Sequence, residues 1–279
     1  MAGLGLTLSF VLVFANRKLY VYEDPRIEQV NDMLPQANCG ACGSPGCRAF
    51  AELVVSGATT PGKCTVNTPD KIDMIAGFLG VDAGGGPKIV ARLACAGGVN
   101  VARQRSHYQG MQTCHAANLV AGGGKGCAWG CLGLGDCARV CDFDAITMNE
   151  FNIPVVDSAK CVACNDCVEI CPKDLFSLHP VDHKLWVACK SLAFGDDAEN
   201  ECEVSCTACG RCALDADEGV IQIKNNLAVI NYDLNRKATQ KAIDRCPTGA
   251  IVWFNKPDQA VKGPKAKKII RKSALPVQH

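Results

Sequence analysis

Cysteine is the residue type in this chain with the clearest chemistry, and its spacing is specific. The stretch Cys161-Val-Ala-Cys164-Asn-Asp-Cys167-Val-Glu-Ile-Cys171-Pro172 sets three thiols at Cys-x2-Cys steps and a fourth after three residues, followed at once by proline. Three thiolates on one tight loop cap one face of a [4Fe-4S] cube, the fourth reaches a neighbouring cube, and the proline turns the chain away. Zinc sites use two separated Cys-x2-Cys pairs or mixed Cys and His sets, and this run is neither. One such run implies a partner run. Cys131, Cys137 and Cys141 stand just upstream, with Leu134 where the middle thiolate of a triplet would be.

Twenty cysteines in 279 residues, against 6% aromatics, imply that much of the chain is organised around inorganic cores. A composition that is 48% apolar excludes a disordered chain. Disulfides suit small secreted scaffolds, and no stretch here reads as a cleavable signal. The formal charge is +1. Five cubes at roughly −2 each would bring the loaded protein to about −9.

The elements that must position these thiols follow in order. Residues 1–16 carry no charged side chain and are followed by Arg17 and Lys18, so residues 1–22 read as a short membrane anchor. At 1.5 Å per residue the uncharged part spans only about 24 Å, short of a hydrocarbon core of about 30 Å. The basic pair places the large domain on the cytoplasmic side of the cell membrane. Residues 23–86 form a small domain in which Cys39, Cys42, Cys47 and Cys64 close one site, read as [4Fe-4S] with structural zinc as the alternative. Arg48 to Val55 reads as a helix, Ser56 to Thr59 as the turn that ends it, and Gly84-Gly85-Gly86-Pro87 as a linker.

From Cys114 the chain repeats itself at a fixed offset of 75 residues, which maps Cys114 on Cys189, Cys127 on Cys202, Cys131 on Cys206, Cys137 on Cys212 and Cys171 on Cys246. This defines a two-cluster module over residues 87–183, a degenerate copy over 184–256 and a basic, patternless tail over 257–279. In the second copy Cys141, Cys161, Cys164 and Cys167 become Ala216, Arg236, Thr239 and Ala242, so one whole centre is deleted. Cys206, Cys209, Cys212 and Cys246 close one cube, and Cys141 completes Cys161, Cys164 and Cys167. The set Cys131, Cys137 and Cys171 lacks a ligand at Leu134. The unmatched Cys95 is expected to supply it, leaving Cys114, Cys127, Cys189 and Cys202 as a shared fifth site. The rival assignment exchanges Cys95 and Cys127. Short hairpins, Ala145–Met148 with Ile153–Val156 and Val220–Ile223 with Leu227–Ile230, are expected to cover the cubes. His115 reads as a packed residue, and the five histidines form no catalytic set. The fold class is α+β: an anchor helix, a small [4Fe-4S] domain, then tandem bacterial-ferredoxin-like repeats.

Asn38-Cys39-Gly40-Ala41-Cys42-Gly43, Cys114-His115-Ala116-Ala117-Asn118, Gly126-Cys127 and Gly130-Cys131-Leu132-Gly133 together resemble the B subunit of the Rnf complex, a membrane-bound ferredoxin:NAD oxidoreductase. The resemblance runs from the anchor to Cys246-Pro247. It implies an electron-transfer subunit that accepts electrons from soluble ferredoxin inside a complex coupled to Na+ or H+ movement. Flavin- and NADH-binding subunits and integral membrane subunits are the implied partners, with no nucleic acid. All twenty cysteines are expected to hold five [4Fe-4S] clusters, and no group for proton or group transfer stands out. A soluble polyferredoxin-like carrier, or an electron-feeding module of another reductase, is the competing expectation.

Overall fold

The computed structural model describes residues 2–19 and 23–277. The chain forms two compact units, Met1–Gly86 and Pro87–His279.

The first unit is helical. α1 (Ala2–Leu19) leaves Leu6, Phe10 and Phe14 exposed and ends on Arg17 and Lys18, cations that suit the negative end of the helix dipole. Among the described residues no helix is long and apolar enough to cross a membrane. The anchor expected over residues 1–22 is therefore not supported: the apolar run is short, the last turn is charged, and Met1 and residues 20–22 lie outside the described residues. α2 (Pro25–Met33) starts with proline and is capped by the Asp24 carboxylate. It packs on α3 (Cys47–Val55), while α4 (Pro69–Leu79) contributes Ile75 to a core with Val30, Phe50 and Val54. Gly57, at φ +75°, ends α3 in a left-handed turn, the conformation glycine adopts without cost.

The second unit is built from short antiparallel sheets. β1 (Ile89–Leu93) pairs with β4 (Phe176–Pro180), β2 (Ile146–Met148) with β3 (Pro154–Val156), and β6 (Ile221–Lys224) with β7 (Leu227–Ile230). β5 (Leu185–Val187) pairs with β8 (Ile251–Lys256), which pairs in turn with β9 (Gln259–Val261). The hairpins expected over 145–156 and 220–230 are β2–β3 and β6–β7. Where the second copy has lost thiols, Ala242 is fully buried and Ala216 packs into the same apolar cluster, so hydrocarbon fills the place of the deleted centre.

The basic tail is bound along the second unit. Lys265 N donates to Asp244 O, Lys267 N to Pro247 O and Leu275 N to Val99 O. Arg271 Nη1 donates to Asn100 O while Asn100 Nδ2 donates to Arg271 O, at 2.8 and 3.2 Å. Backbone hydrogen bonds without hydrophobic periodicity bind this segment across both copies.

Candidate metal centres

All twenty cysteines are free thiols. The loops that hold them follow one backbone template. In Cys161–Cys167 the left-handed residues are Ala163 and Asn165; in Cys206–Cys212 they are Ala208 and Gly210; in Cys131–Cys137 they are Gly133 and Gly135. Each loop then enters a helix of one turn that carries its last cysteine: α6 (Asp136–Arg139), α7 (Asp166–Glu169) and α8 (Arg211–Asp215). Left-handed kinks at fixed positions curl the loop so that its thiols face one point. The loop with Leu134 keeps both kinks, so it kept the fold of the template after losing the thiol.

The thiols gather in groups. Cys39, Cys42, Cys47 and Cys64 line one cavity with Leu34 and Phe50. Cys206, Cys209, Cys212 and Cys246 line another, where Thr248 Oγ1 lies 3.9 Å from Cys246 Sγ. Cys114, Cys131, Cys137 and Cys171 line a third. Cys95, Cys127, Cys189 and Cys202 line a fourth. Cys141, Cys161, Cys164 and Cys167 form the remaining group, in which burial first and neighbouring thiols of the group next push Cys167 up to about 12. Burial likewise pushes Cys131, Cys137, Cys189, Cys202 and Cys212 up to about 12. Near neutral pH these thiols are protonated without metal, and metal binding must expel the protons.

Backbone amides support the sulfurs. Ala91 N donates to Cys161 Sγ at 3.4 Å, Ala145 N to Cys141 Sγ at 3.4 Å and Leu175 N to Cys171 Sγ at 3.5 Å. Such bonds spread charge off a thiolate and help set the potential of whatever it binds.

The grouping departs from both expectations at Cys95 and Cys114. Cys114, not Cys95 or Cys127, joins Cys131, Cys137 and Cys171, and Cys95 joins Cys127, Cys189 and Cys202. The reason is a break in the repeat. Leu93 pairs with Phe176 on β1–β4, as Val187 pairs with Ile251 on β5–β8. Ala94 N donates to Leu175 O as Ala188 N donates to Ala250 O, both at 2.8 Å. Cys131 N approaches Cys95 Sγ at 3.4 Å as Cys206 N approaches Cys189 Sγ at 3.3 Å. Cys95 is thus the counterpart of Cys189, at an offset of 94, while the offset from Cys127 onward is 75. The first copy contains 19 additional residues between these points. They include α5 (Cys114–Leu119), which carries Cys114 over the cavity that Leu134 leaves short. The match of Cys114 to Cys189 was a coincidence of spacing. The sequence signal was present in Leu93-Ala94-Cys95 and Val187-Ala188-Cys189, each at the end of a strand.

Asp136 fastens this insertion. It is buried, with 7% of its surface exposed, and its Oδ2 accepts from His115 N at 3.2 Å while Oδ1 pairs with Arg139. His115 itself is exposed, not packed as expected. Lys125, also unnoticed in the sequence, lines the shared cavity of Cys95, Cys127, Cys189 and Cys202.

The donor sets suit an iron-sulfur core. Among the described residues no three His, Cys, Asp or Glu side chains converge closely enough to hold a single metal ion. Four cavities are each lined by four thiols. A cube carries one iron per thiolate, so a closed set of four matches one cube.

A family model described as "Putative Fe-S cluster" matches residues 34–66, the segment of Cys39, Cys42, Cys47 and Cys64. With that match and these donor sets, the chain is an iron-sulfur protein. It is 39% identical over 247 residues to the B subunit of the Na(+)-translocating ferredoxin:NAD(+) oxidoreductase complex of Acetobacterium woodii, covering 88% of this chain and 74% of that protein. It is 35% identical over 253 residues to the B subunit of the proton-translocating ferredoxin:NAD(+) oxidoreductase complex of Clostridium ljungdahlii, covering 90% and 89%. It is 34% identical over 251 residues to the B subunit of the ion-translocating oxidoreductase complex of Methanosarcina acetivorans, covering 90% and 95%. The chain belongs to this family, the B subunits of ion-translocating oxidoreductase complexes.

Proposed function

We propose that this chain is the electron-transfer subunit of a membrane-associated ferredoxin:NAD oxidoreductase coupled to Na+ or H+ movement. Its five thiol groups hold five [4Fe-4S] clusters: Cys39, Cys42, Cys47 and Cys64; Cys141, Cys161, Cys164 and Cys167; Cys114, Cys131, Cys137 and Cys171; Cys95, Cys127, Cys189 and Cys202; Cys206, Cys209, Cys212 and Cys246. The gathering of thiols into closed groups of four on a duplicated fold carries this reading, and the relatives' names support the reaction. A bound cluster supplies one-electron oxidation and reduction, with no bond to substrate made or broken. The protein's own part is to bind iron through thiolates, to orient the sulfurs with backbone amides and to exclude water with side chains such as Phe50 and Phe176.

Soluble ferredoxin docks beside the two-cluster module. The flavin- and NADH-binding subunits and the integral membrane subunits are the remaining partners, and the small N-terminal unit faces the latter. The exposed apolar side chains of α1 support its seating against those membrane subunits at the cytoplasmic face. Anaerobic purification from cells expressing the whole complex tests the reading. The chain is expected in the membrane fraction with about twenty irons and equal acid-labile sulfide. Zinc in place of iron throughout, or a protein that stays soluble with its partners present, would refute it.

A further inference from the structure

Lys125 has no carboxylate partner among the described residues. Its Nζ donates to two backbone carbonyls, Gly97 O at 2.5 Å and Cys131 O at 2.6 Å. Gly97 belongs to the loop after Cys95, and its hypothetical Cβ would lie 2.9 Å from Cys202 Sγ. The ammonium is thus held against the cavity of Cys95, Cys127, Cys189 and Cys202 on one side and against the chain of Cys131, from the adjoining group, on the other. Of the charges nearby, Glu201, beside Cys202, pairs its Oε1 with Arg105, while its Oε2 is buried without a hydrogen-bond partner. Lys190, the second lysine on the cavity wall, is exposed and turns its ammonium to Asp174 O.

The two halves of this cavity each give the thiol after a strand and the thiol four residues before the next run, but their charges differ. Lys125 stands two residues before Cys127 where the uncharged Asn200 stands two before Cys202, and Glu201 precedes Cys202 where Gly126 precedes Cys127.

We propose that Lys125 is a positioning charge that sets the redox potential of the shared centre above the value its buried thiolates alone would give. A one-electron reduction adds one negative charge to the centre and changes no bond. A fixed cation at its wall therefore favours the reduced form over the oxidised one, and does so strongly where little water screens the pair. The same ammonium ties the loop after Cys95 to Cys131, so charge and strap are one side chain. Its field reaches the Cys131 group more weakly through the peptide that Nζ binds.

The inference rests on the ligand grouping proposed above, and the test separates the two. Potentiometric titration of the anaerobic full-length protein, followed by paramagnetic resonance, is run on the native chain, Lys125→Arg, Lys125→Gln and Lys125→Met. Iron content is read in parallel, so a variant that merely loses a cluster is recognised. With iron retained, Lys125→Met and Lys125→Gln are expected to move one centre to lower potential by the largest shift, its neighbour by a smaller one, and the others not at all. Lys125→Arg is expected to restore the native value. Glutamine keeps a donor for the carbonyls, so a normal potential in Lys125→Gln together with a shift in Lys125→Met would make Lys125 a strap only and overturn the proposal. Equal potentials in all four proteins, or one shift common to every centre, would overturn it as well. Failure of the grouping appears separately, as a cluster count in the native chain that does not match five sets of four.

Discussion

Replacing Cys114 by alanine distinguishes the ligand grouping of the folded chain from the one that a gapless repeat implies. Cys114 is buried on α5 and lines the cavity of Cys131, Cys137 and Cys171. Removing its thiol leaves three ligands there, and Leu134 cannot supply a fourth. From about twenty irons in the native protein, Cys114→Ala should lose about four if the centre fails to assemble, or about one if a three-iron remnant survives. The damage should also reach a neighbour. Cys137 feels the thiols of both Cys114 and Cys167, so its group abuts that of Cys141, Cys161, Cys164 and Cys167. Two adjacent reduced cubes couple magnetically, and the coupled signal should disappear from the paramagnetic resonance spectrum of dithionite-reduced Cys114→Ala. Cys95→Ala should lose a similar amount of iron from the shared centre yet keep that coupled signal. The reasoning is refuted if Cys114→Ala retains the coupling while Cys95→Ala abolishes it. Equal loss in both would mean that the insertion carrying Cys114 does not seat as the structure has it.

Further expectations follow from particular contacts. Asp136→Ala strips acceptors from His115 N and Arg139 and should destabilise the Cys114 insertion by about 1–3 kcal/mol, seen as faster iron loss to a chelator from one centre only; uniform loss would contradict it. Arg271→Ala removes a link to Asn100 O and to Glu203 and should lower stability by about 1 kcal/mol, with easier proteolysis of the tail; an unchanged digestion pattern counts against the strap. Burial first, then His183 and Arg92, hold the His179 imidazole down at about 4 from 6.5. Its folded pKa is the lower one, so the unfolded chain takes up the proton first. The stability contribution is full above pH 6.5 and is lost as pH falls toward 4. The ring is only half-buried, so the loss should stay below about 2 kcal/mol. Native protein should therefore weaken more than His179→Phe between neutral and mildly acid pH in anaerobic unfolding, and parallel curves would remove the assignment.

Much of the site was legible because iron-sulfur chemistry writes itself into local spacing. Cys161, Cys164 and Cys167 on one loop, and Cys206, Cys209 and Cys212 on its copy, had to face a common point, whatever the rest of the chain did. The β2–β3 and β6–β7 hairpins were legible for the same local reason, alternating apolar residues around a short polar turn. The unreadable parts were those decided by long-range contact. A repeat detected by counting cannot see an insertion when a cysteine within it falls on the expected number, as Cys114 did. A tail with no apolar period gives no sign that its amides will find Asp244, Pro247 and Val99.

The sequence by itself set the thiols in closely spaced runs and repeated them from Cys127 onward at an offset of 75, with Ala216, Arg236, Thr239 and Ala242 where the first copy has cysteines. Tertiary structure alone decided which thiols share a cavity at the junction of the copies. There the ligands lie far apart in sequence, and strand pairing fixes their places. β1 on β4 and β5 on β8 bring Cys95 opposite Cys189, while α5, held by Asp136, carries Cys114 away from that junction to the neighbouring cavity. Ligand spacing is a property of one loop, but the closing of a shared site is a property of the register between two copies, and register exists only once the chain has folded.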